Sequence, residues 1–355
     1  MEVRITGTGS YIPERKVKNE AFASGTYYLE DGSLLDKPGE EIITKFEEIT
    51  GIRERRYVKD GETASTIGYY AGKQALEDAQ IDGEELDGIF LAHNFGDVLP
   101  GNRQPDVLPA LASRVKQQLG IRNPHCIAFD LLYGCPGWIQ SLITAHHYLK
   151  AGDGKRYLVI GTETLSRNLD LFDRDAMIFS DGAGASVVEA TPESTGRGII
   201  STVSQTFTHE EAYFLHYGKS YNPEVKENTR YIKMKGRKIF EFGLNHVPGA
   251  MKAALDKAGA HIDEVKKVLI HQANEKMDEA IIKRFYRLYR QPVPEHIMPM
   301  SIHELGNSSV ATVPTLLDRL LRGKLGANHS ARQGDLLLLA SVGSGMSINA
   351  VVYRL

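Results

Sequence analysis

The chain has 355 residues, which is enough for one large domain or two ordinary ones with a substantial buried core. Its 42 Lys and Arg nearly balance its 45 Asp and Glu, and no basic tail or run of positive charge indicates nucleic acid. The longest apolar stretches, such as 336–340, are far too short to span a membrane. We therefore expect a protein without nucleic-acid or membrane partners.

The first predicted strand is Met1-Glu2-Val3-Arg4-Ile5, and no signal-peptide apolar core is present there. Two cysteines provide neither a disulfide framework nor paired metal ligands, so we expect a reducing, cytoplasmic location and no bound metal. Gly7-Thr8-Gly9 lacks the third glycine and the following helix of a dinucleotide-binding loop. We interpret it as a turn at the end of the first strand.

A helix–strand unit occurs twice in the chain. Residues 75–79 have a helical pattern and lead to an apolar strand at 89–91, and the same pattern recurs 179 residues later, at 254–258 and 268–270. Continuous apolar strands are typical of sheets buried on both faces. Chance similarity is the alternative to duplication.

A second pair of helix–strand units fits the same repeat. The helix after Cys135 leads to a strand at 157–160, and the helix after Asn307 leads to a strand at 336–339. The pattern predicts two similar α/β halves, residues 1–190 and 191–355, which meet in a turn-rich segment.

Cys135 lies between a predicted strand and a predicted helix, in Leu131-Leu132-Tyr133-Gly134-Cys135-Pro136-Gly137-Trp138. Pro136 is expected at the first helical position, where a missing N–H costs nothing. A helix N-terminus stabilises a thiolate, which is the nucleophilic form of cysteine. This segment alone leaves a second interpretation open, a buried cysteine that packs as a small apolar side chain.

Two later segments carry polar side chains where a strand ends or a helix begins. His271 and Asn274 follow the strand at 268–270, and Asn307 lies in a Gly/Asn/Ser loop that opens a helix. Taken singly, a packing histidine and a turn asparagine are the simpler interpretations. Together with Cys135 they predict one site, because α/β proteins collect reactive groups at such positions. That site would be built from both halves.

These motifs, in this order, resemble the β-ketoacyl-acyl-carrier-protein synthase III family of the thiolase-like condensing enzymes. The resemblance runs nearly from end to end and rests on Gly7–Pro13, Thr50–Arg55, the Cys135 turn, Ser180–Ala185, His271–Asn274, Gly306–Ser309 and Gly343–Gly345. It implies a thiolase-like α/β fold, with two duplicated halves in a five-layered αβαβα arrangement. It also implies a homodimer that needs no cofactor beyond its acyl thioester substrates.

The resemblance further implies a decarboxylating Claisen condensation. An acyl thioester reacts with a malonyl-acyl-carrier-protein to give a 3-oxoacyl thioester, in fatty-acid or related specialised biosynthesis. Cys135 would carry the acyl group, and the backbone N–H groups of Cys135 and Ser344 would form the oxyanion hole. His271 and Asn307 would stabilise the enolate as neutral hydrogen-bond donors.

Substrate-binding residues are carried over in the same way. Arg174 matches a coenzyme-side arginine, and Asn274 resembles a residue that contacts the phosphopantetheine arm, with a helix N-cap as the alternative. Leu108 aligns with the segment that reaches toward the partner subunit's acyl pocket. The Asp181–Gly184 segment is expected to shape the loop beside the site.

Other positions depart from the family pattern. Lys45 and Ile49 fall near the places where typical members clamp coenzyme A with Trp and Arg, and Val342 replaces a usual aromatic residue. We therefore expect an unusual acyl donor. A basic stretch at helical spacing is expected to dock an acidic acyl carrier protein, although a solvated helix face is the alternative; it comprises Lys276, Lys283, Arg284, Arg287 and Arg290.

Rival functions remain open on sequence alone. Papain-like proteases also have a Cys–His–Asn order, and the 136-residue gap from Cys135 to His271 fits theirs. A biosynthetic thiolase would need a second catalytic cysteine where this chain has Ser344. A non-decarboxylating acyltransferase on the same fold would need only Cys135 and the oxyanion hole.

Overall fold

The fold is taken from a computed structural model that describes residues 1–102 and 104–355, which contain thirteen β-strands and eight α-helices. The strands are β1 (Glu2–Tyr11), β2 (Arg15–Lys18), β3 (Glu54–Tyr57), β4 (Gly88–Ala92), β5 (Ile127–Leu131), β6 (Arg156–Thr164), β7 (Asp181–Thr191), β8 (Gly198–Thr206), β9 (Leu215–Gly218), β10 (Tyr231–Met234), β11 (Val265–Ile270), β12 (Leu336–Gly343) and β13 (Ser347–Arg354). The helices are α1 (Gly39–Thr50), α2 (Ala64–Ala79), α3 (Leu111–Gln118), α4 (Gly137–Ala151), α5 (Gly236–Lys257), α6 (Glu275–Arg287), α7 (Ile302–Leu305) and α8 (Thr312–Leu321).

Two large sheets repeat one arrangement of strands. The first has the order β1-β7-β6-β4-β5, and the second has the order β8-β13-β12-β11. In the first sheet, the parallel pair β4–β6 is followed by the antiparallel pairs β6–β7 and β7–β1. In the second sheet, the parallel pair β11–β12 is followed by the antiparallel pairs β12–β13 and β13–β8. The predicted duplication is confirmed, and β5 is the one strand of the first sheet without a counterpart in the described part of the second.

The sheets and helices stack in five layers. Helices α4 and α8 lie between the two sheets and contact strands of both. Helices α2 and α3 cover the outer face of the first sheet, while α5 and α6 cover the outer face of the second. Three apolar clusters of buried side chains fill the spaces between these layers. The five-layered αβαβα arrangement expected from the sequence is therefore confirmed.

Two glycines of the first strand explain how closely one outer helix approaches its sheet. Gly7 and Gly9 lie inside β1, so our interpretation of this segment as a strand-end turn was wrong. A Cβ on Gly7 would lie 2.3 Å from the carbonyl oxygen of Ala75, and one on Gly9 would lie 2.3 Å from that of Ala71. Both positions need glycine because α2 packs its backbone directly against this strand.

Residues 192–197 connect the last strand of the first sheet to the first strand of the second. The exact division into 1–190 and 191–355 stays a prediction. Across residues 1–102 and 104–355, we find no helix that is long and apolar enough to cross a lipid bilayer.

Candidate active site

Cys135 occupies a tight turn between β5 and α4. Gly134 has a φ of 65°, and its carbonyl accepts a 2.9 Å hydrogen bond from the N–H of Gly137, the first residue of α4. Pro136 is the N-cap and already has helical angles, and its carbonyl accepts from the Gln140 N–H at 2.9 Å. The helix therefore begins one residue later than predicted, although the turn has the expected form.

A second glycine loop interlocks with this turn. A Cβ on Gly134 would lie 2.6 Å from the backbone nitrogen of Ser344, and a Cβ on Gly343 would lie 2.6 Å from the backbone nitrogen of Cys135. Only glycine fits at such distances. The structure thus brings together the Cys135 and Ser344 backbone nitrogens, the two that the sequence analysis assigned to an oxyanion hole.

The thiol of Cys135 is buried, with 9% of the residue exposed. Burial raises the pKa of this thiol to about 11, because a thiolate would lose its hydration. Burial therefore opposes the stabilisation of the thiolate that the sequence predicts from the helix N-terminus. The Ser309 hydroxyl donates a hydrogen bond to Sγ at 3.3 Å and opposes this shift.

Ser309 belongs to a buried polar chain. Asn94 Nδ2 donates to the Ser309 hydroxyl at 3.0 Å and also donates to the carboxyl group of Glu163. Glu163 is buried, and burial raises the pKa of its carboxyl group well above the usual range. The chain from Glu163 to Cys135 therefore begins at a carboxyl group whose ionised form is disfavoured by burial.

Asn307 is buried beside this chain and is held by three hydrogen bonds. Its backbone N–H donates to the Ile178 carbonyl at 3.0 Å, and its carbonyl accepts from the Ser180 N–H at 2.8 Å. Its side-chain oxygen accepts from the Ser309 N–H at 2.7 Å. Because the amide oxygen is occupied, the amide N–H₂ group is left to donate to another molecule.

His271 follows the last residue of β11 and is buried. Its backbone N–H donates to the Ala340 carbonyl of β12 at 2.9 Å, and β12 continues to the loop that touches the Cys135 turn. Burial lowers the pKa of the His271 imidazole to about 4, so the ring is neutral at physiological pH. In the described chain, no hydrogen bond joins this ring to Cys135 or Asn307, and Nδ1 has no partner.

Cys135 lines a largely apolar cavity of about 490 Å³, which we call the Cys135 cavity. The lower end of the range for small-molecule pockets is about 300 Å³. Both halves contribute to its walls, which include Phe95, Leu165, Phe179, Leu215, Tyr217 and Ile232. The rings of Phe95 and Tyr217 meet edge to face, with centroids 4.9 Å apart.

A second cavity, of about 340 Å³, contains most of the predicted donor-binding positions. We call it the Arg174 cavity, and its lining includes Lys37, Lys45, Ile49, Arg174, Arg237 and Asn274. Ile178 lines this cavity and Phe179 lines the Cys135 cavity, so adjacent residues separate the two. Asn307 forms a β-bridge with Phe179 and therefore lies at the divide.

Asn274 has the capping geometry that was the alternative to substrate binding. Its side-chain oxygen accepts from the Met277 N–H at 3.0 Å, at the N-terminus of α6. Lys276 is exposed on the first turn of that helix. Arg290 lies beyond the helix, which ends at Arg287, so the basic stretch is not a single helical face.

Two further sequence interpretations can be compared with the structure. Leu108 is 87% exposed on the loop before α3, and its reach toward a partner subunit stays a prediction. Asp181 to Gly184 form the beginning of β7 and not a loop, and the Asp181 carboxylate accepts from the Ser166 N–H at 2.8 Å. Within residues 1–102 and 104–355, no cluster of three or more His, Cys, Asp or Glu side chains is arranged to hold a metal.

Sequence reasoning missed three polar residues of the site: Asn94, Glu163 and Ser309. The signal was available for two of them, because Asn94 and Glu163 lie at the ends of the apolar strands β4 and β6, as His271 does for β11. Ser309 lay inside the Gly306–Ser309 motif without a role. Its φ of 52°, unusual for a residue with a side chain, could not be read from the sequence.

Comparison with known proteins agrees with this geometry. The family described as 3-oxoacyl-[acyl-carrier-protein (ACP)] synthase III matches residues 129–207, and the family described as its C-terminal part matches residues 255–355. A β-ketoacyl-[acyl-carrier-protein] synthase III from Methylococcus capsulatus is 32% identical over 99% of this chain and 98% of that protein.

Solved structures share the fold over the full length. The 3-oxoacyl-[acyl-carrier-protein] synthase III from Aquifex aeolicus is 30% identical, with a TM-score of 0.80 over 99% of this chain and 100% of its own. The priming β-ketosynthase of the R1128 polyketide pathway is 28% identical, with a TM-score of 0.81 over 100% of this chain and 96% of its own. The fold is thiolase-like, and the chain belongs to the 3-oxoacyl-[acyl-carrier-protein] synthase III family.

Proposed function

We propose that this protein condenses an acyl thioester with a malonyl-acyl-carrier-protein and releases carbon dioxide and a 3-oxoacyl thioester. One observation carries the proposal: Cys135 faces an apolar cavity, with the Ser344 backbone beside it and Asn307 on the side toward the Arg174 cavity. An acyl group fits the first cavity, and its thioester arm fits the second.

In the first half-reaction, the Cys135 sulfur attacks the carbonyl carbon of the acyl thioester. The carbon–sulfur bond to the coenzyme or carrier breaks, and the departing thiolate takes up the proton that Cys135 releases. The backbone N–H groups of Cys135 and Ser344 are proposed to stabilise the oxyanion, at about 3 kcal/mol for each donor. The acyl chain then occupies the Cys135 cavity.

In the second half-reaction, the bond between the malonyl carboxylate and its neighbouring carbon breaks. Carbon dioxide leaves, and the electron pair remains as an enolate whose oxygen accepts hydrogen bonds from His271 and Asn307. The neutral imidazole and the free amide N–H₂ of these residues support this role. The enolate carbon attacks the acyl carbonyl, and Cys135 departs as thiolate. No step needs a metal or a redox cofactor.

The donor arm is proposed to enter through the Arg174 cavity. Lys45 and Ile49 line it, near the positions where typical family members have a Trp and an Arg that clamp coenzyme A. Arg174 and Arg237 add positive charge, which suits the phosphate of a phosphopantetheine arm. Lys276 is exposed at the start of α6, which supports carrier-protein docking nearby.

The free edge of the first sheet supports the proposed homodimer. Strand β5 pairs only with β4 among the described strands, and its apolar residues are only partly covered. An uncovered apolar edge strand is a site for pairing with another chain. Leu108 then contributes to the partner subunit's acyl cavity. A cytoplasmic location stays a prediction.

Intact-mass analysis tests the proposal. The enzyme is incubated with a panel of acyl thioesters on coenzyme A and on carrier protein, and malonyl-carrier-protein is then added. We expect acyl-enzyme in the first step, and carbon dioxide and a 3-oxoacyl product in the second. Acyl transfer without carbon dioxide release would instead indicate a non-decarboxylating acyltransferase.

A further inference from the structure

Ser309 connects the two groups assigned to the two half-reactions. Its hydroxyl donates to the Cys135 sulfur at 3.3 Å, and its backbone N–H donates to the Asn307 side-chain oxygen at 2.7 Å. Both contacts come from one residue with a φ of 52°, a conformation that residues with side chains rarely adopt. Backbone strain of this kind is concentrated at functional sites.

A neighbouring amide supports the Ser309 hydroxyl as a donor. Asn94 Nδ2 donates to the Ser309 hydroxyl oxygen at 3.0 Å, which leaves the hydroxyl hydrogen free for the sulfur. The carboxyl group of Glu163 accepts a second hydrogen bond from the same Asn94 nitrogen and holds the amide in place. The three residues form one chain that ends on Sγ of Cys135.

The charge balance of this chain suits a thiolate at its end. An ionised carboxylate near the sulfur would repel the thiolate and raise the pKa of Cys135 further. Glu163 is buried in a site that disfavours its ionised form. The burial that disfavours the Glu163 carboxylate therefore also weakens its repulsion of a thiolate at Cys135.

We propose that Ser309 is a positioning residue for the nucleophile: its hydroxyl orients the Cys135 sulfur and stabilises the thiolate form, while Asn94 and Glu163 hold that hydroxyl as a donor. The inference rests on the proposed function, in which Cys135 carries the acyl group. It assigns a role to the side-chain hydrogen bond that reaches the buried sulfur of Cys135.

Alkylation by iodoacetamide tests this role without any acyl or malonyl substrate. The Cys135 sulfur displaces iodide and its proton passes to the buffer, so the rate follows the thiolate fraction. The rate is measured from pH 6 to 11 on the full chain, and peptide mapping separates Cys135 from Cys126. The variants are Ser309→Ala and Asn94→Ala, with Ser308→Ala as the matched control because the Ser308 side chain lies against Gly182.

Hydrogen bonds to charged groups are strong enough to shift a thiol pKa by about 1–2 units. We therefore expect Ser309→Ala to slow alkylation of Cys135 about 10- to 100-fold at every pH below the pKa of the thiol, with pH 8 as the reference point. Asn94→Ala should shift the profile in the same direction by a smaller amount. Ser308→Ala should leave the profile unchanged.

The inference is overturned if the Ser309→Ala profile coincides with that of the wild type, or if Ser308→Ala shifts it equally. Ser309→Gly covers the case in which the alanine variant does not fold, because glycine adopts a positive φ without strain. It should give the same shift. Failure to form acyl-enzyme on Cys135 would contradict the proposed function alone, and a coinciding profile in an enzyme that acylates normally would contradict this inference alone.

Discussion

Cys135 and Asn307 occupy corresponding positions in the two halves of the molecule. Each follows a glycine with positive φ, 65° at Gly134 and 60° at Gly306, and each lies just before one of the two central helices, α4 and α8. The first half places a thiol at this turn and the second half places an amide. The duplicated fold thus has a glycine with positive φ before each of these two side chains, and the proposed function assigns the thiol and the amide to different half-reactions.

The halves also differ at the ends of their corresponding central strands. Glu163 lies near the end of β6, and Val342 lies 179 residues later, near the end of β12. The valine joins the apolar cluster of the second half, whereas the buried acid anchors the polar chain that reaches Cys135. Of these two corresponding strand ends, the one with a polar side chain therefore belongs to the first half, which also carries Cys135.

Replacing the thiol should have the largest effect. We expect Cys135→Ala to abolish acyl-enzyme formation, whereas Cys126→Ala should retain it. The pKa does not distinguish the two thiols, because burial raises it to about 11 for each. Their positions do distinguish them, because Cys135 lines the Cys135 cavity and Cys126 does not. Peptide mapping after incubation with an acyl thioester decides the matter, and an acyl group on Cys126 would refute the assignment.

Removing a donor of the second half should affect only the second step. We expect His271→Ala and Asn307→Ala each to form acyl-enzyme at Cys135 normally. Release of carbon dioxide from malonyl-carrier-protein should fall by about 10²–10³-fold, if each donor contributes about 3–4 kcal/mol. Acylation measured on the same sample is the internal control. Near-normal carbon dioxide release would remove these residues from the decarboxylation step.

The acid of the first half should make stability depend on pH in a way that the valine of the second half does not. Burial raises the pKa of Glu163 well above its ordinary value of 4.5, so the native state keeps this proton at a pH where the unfolded chain has lost it. Stability is then lost as the pH rises between the two pKa values, by up to about 1.4 kcal/mol per pH unit.

Glu163→Gln should remove that loss, because the amide does not titrate. We expect the free energy of unfolding of the variant, relative to the wild type, to increase from pH 5.5 to pH 7.5. Urea unfolding at several pH values measures the difference. Parallel curves for the two proteins would show that Glu163 is ionised in the native state.

The fold was more predictable from the sequence than the site was. The strands at 89–91, 157–160, 268–270 and 336–339 all exist, because long apolar runs between turn residues leave few alternatives. The Gly7–Gly9 interpretation failed because a glycine needed for close packing has the same sequence pattern as one needed for a turn. Only the approach of α2 distinguishes the two.

Within the site, the places of the candidate residues at the ends of strands and helices were predictable, and the pKa of the thiol was not. Cys135 and His271 follow strands and Asn307 lies in a loop before α8, as predicted, while their action in one site stays a prediction. The raised pKa of the thiol depends on burial by residues distant in sequence. Ser309 contacts the sulfur from 174 residues away. Such contacts between the halves are set by tertiary packing, which motifs in one sequence do not describe.

The basic surface of α6 is the region where we expect the smallest effect. Lys276 and Arg287 are exposed, whereas Arg284 already donates to the Asn245 side chain at 2.8 Å and Lys283 lies 3.5 Å from Glu279. Exposed charges of this kind contribute about 0.2–1 kcal/mol each. Reversing Lys276 and Arg287 together should therefore slow the carrier-protein reaction about twofold to thirtyfold.

The coenzyme A reaction should not change in the Lys276→Glu, Arg287→Glu double variant, because that donor brings no acidic protein surface. In the wild-type enzyme, the advantage of carrier-protein thioesters over coenzyme A thioesters should shrink as the salt concentration rises, since charges are screened over about 8 Å at physiological ionic strength. Reversal of two exposed lysines elsewhere, Lys73 and Lys324, controls for net charge. If the coenzyme A reaction falls equally, or if the control pair has the same effect, this part of α6 is a solvated surface and the carrier protein docks elsewhere.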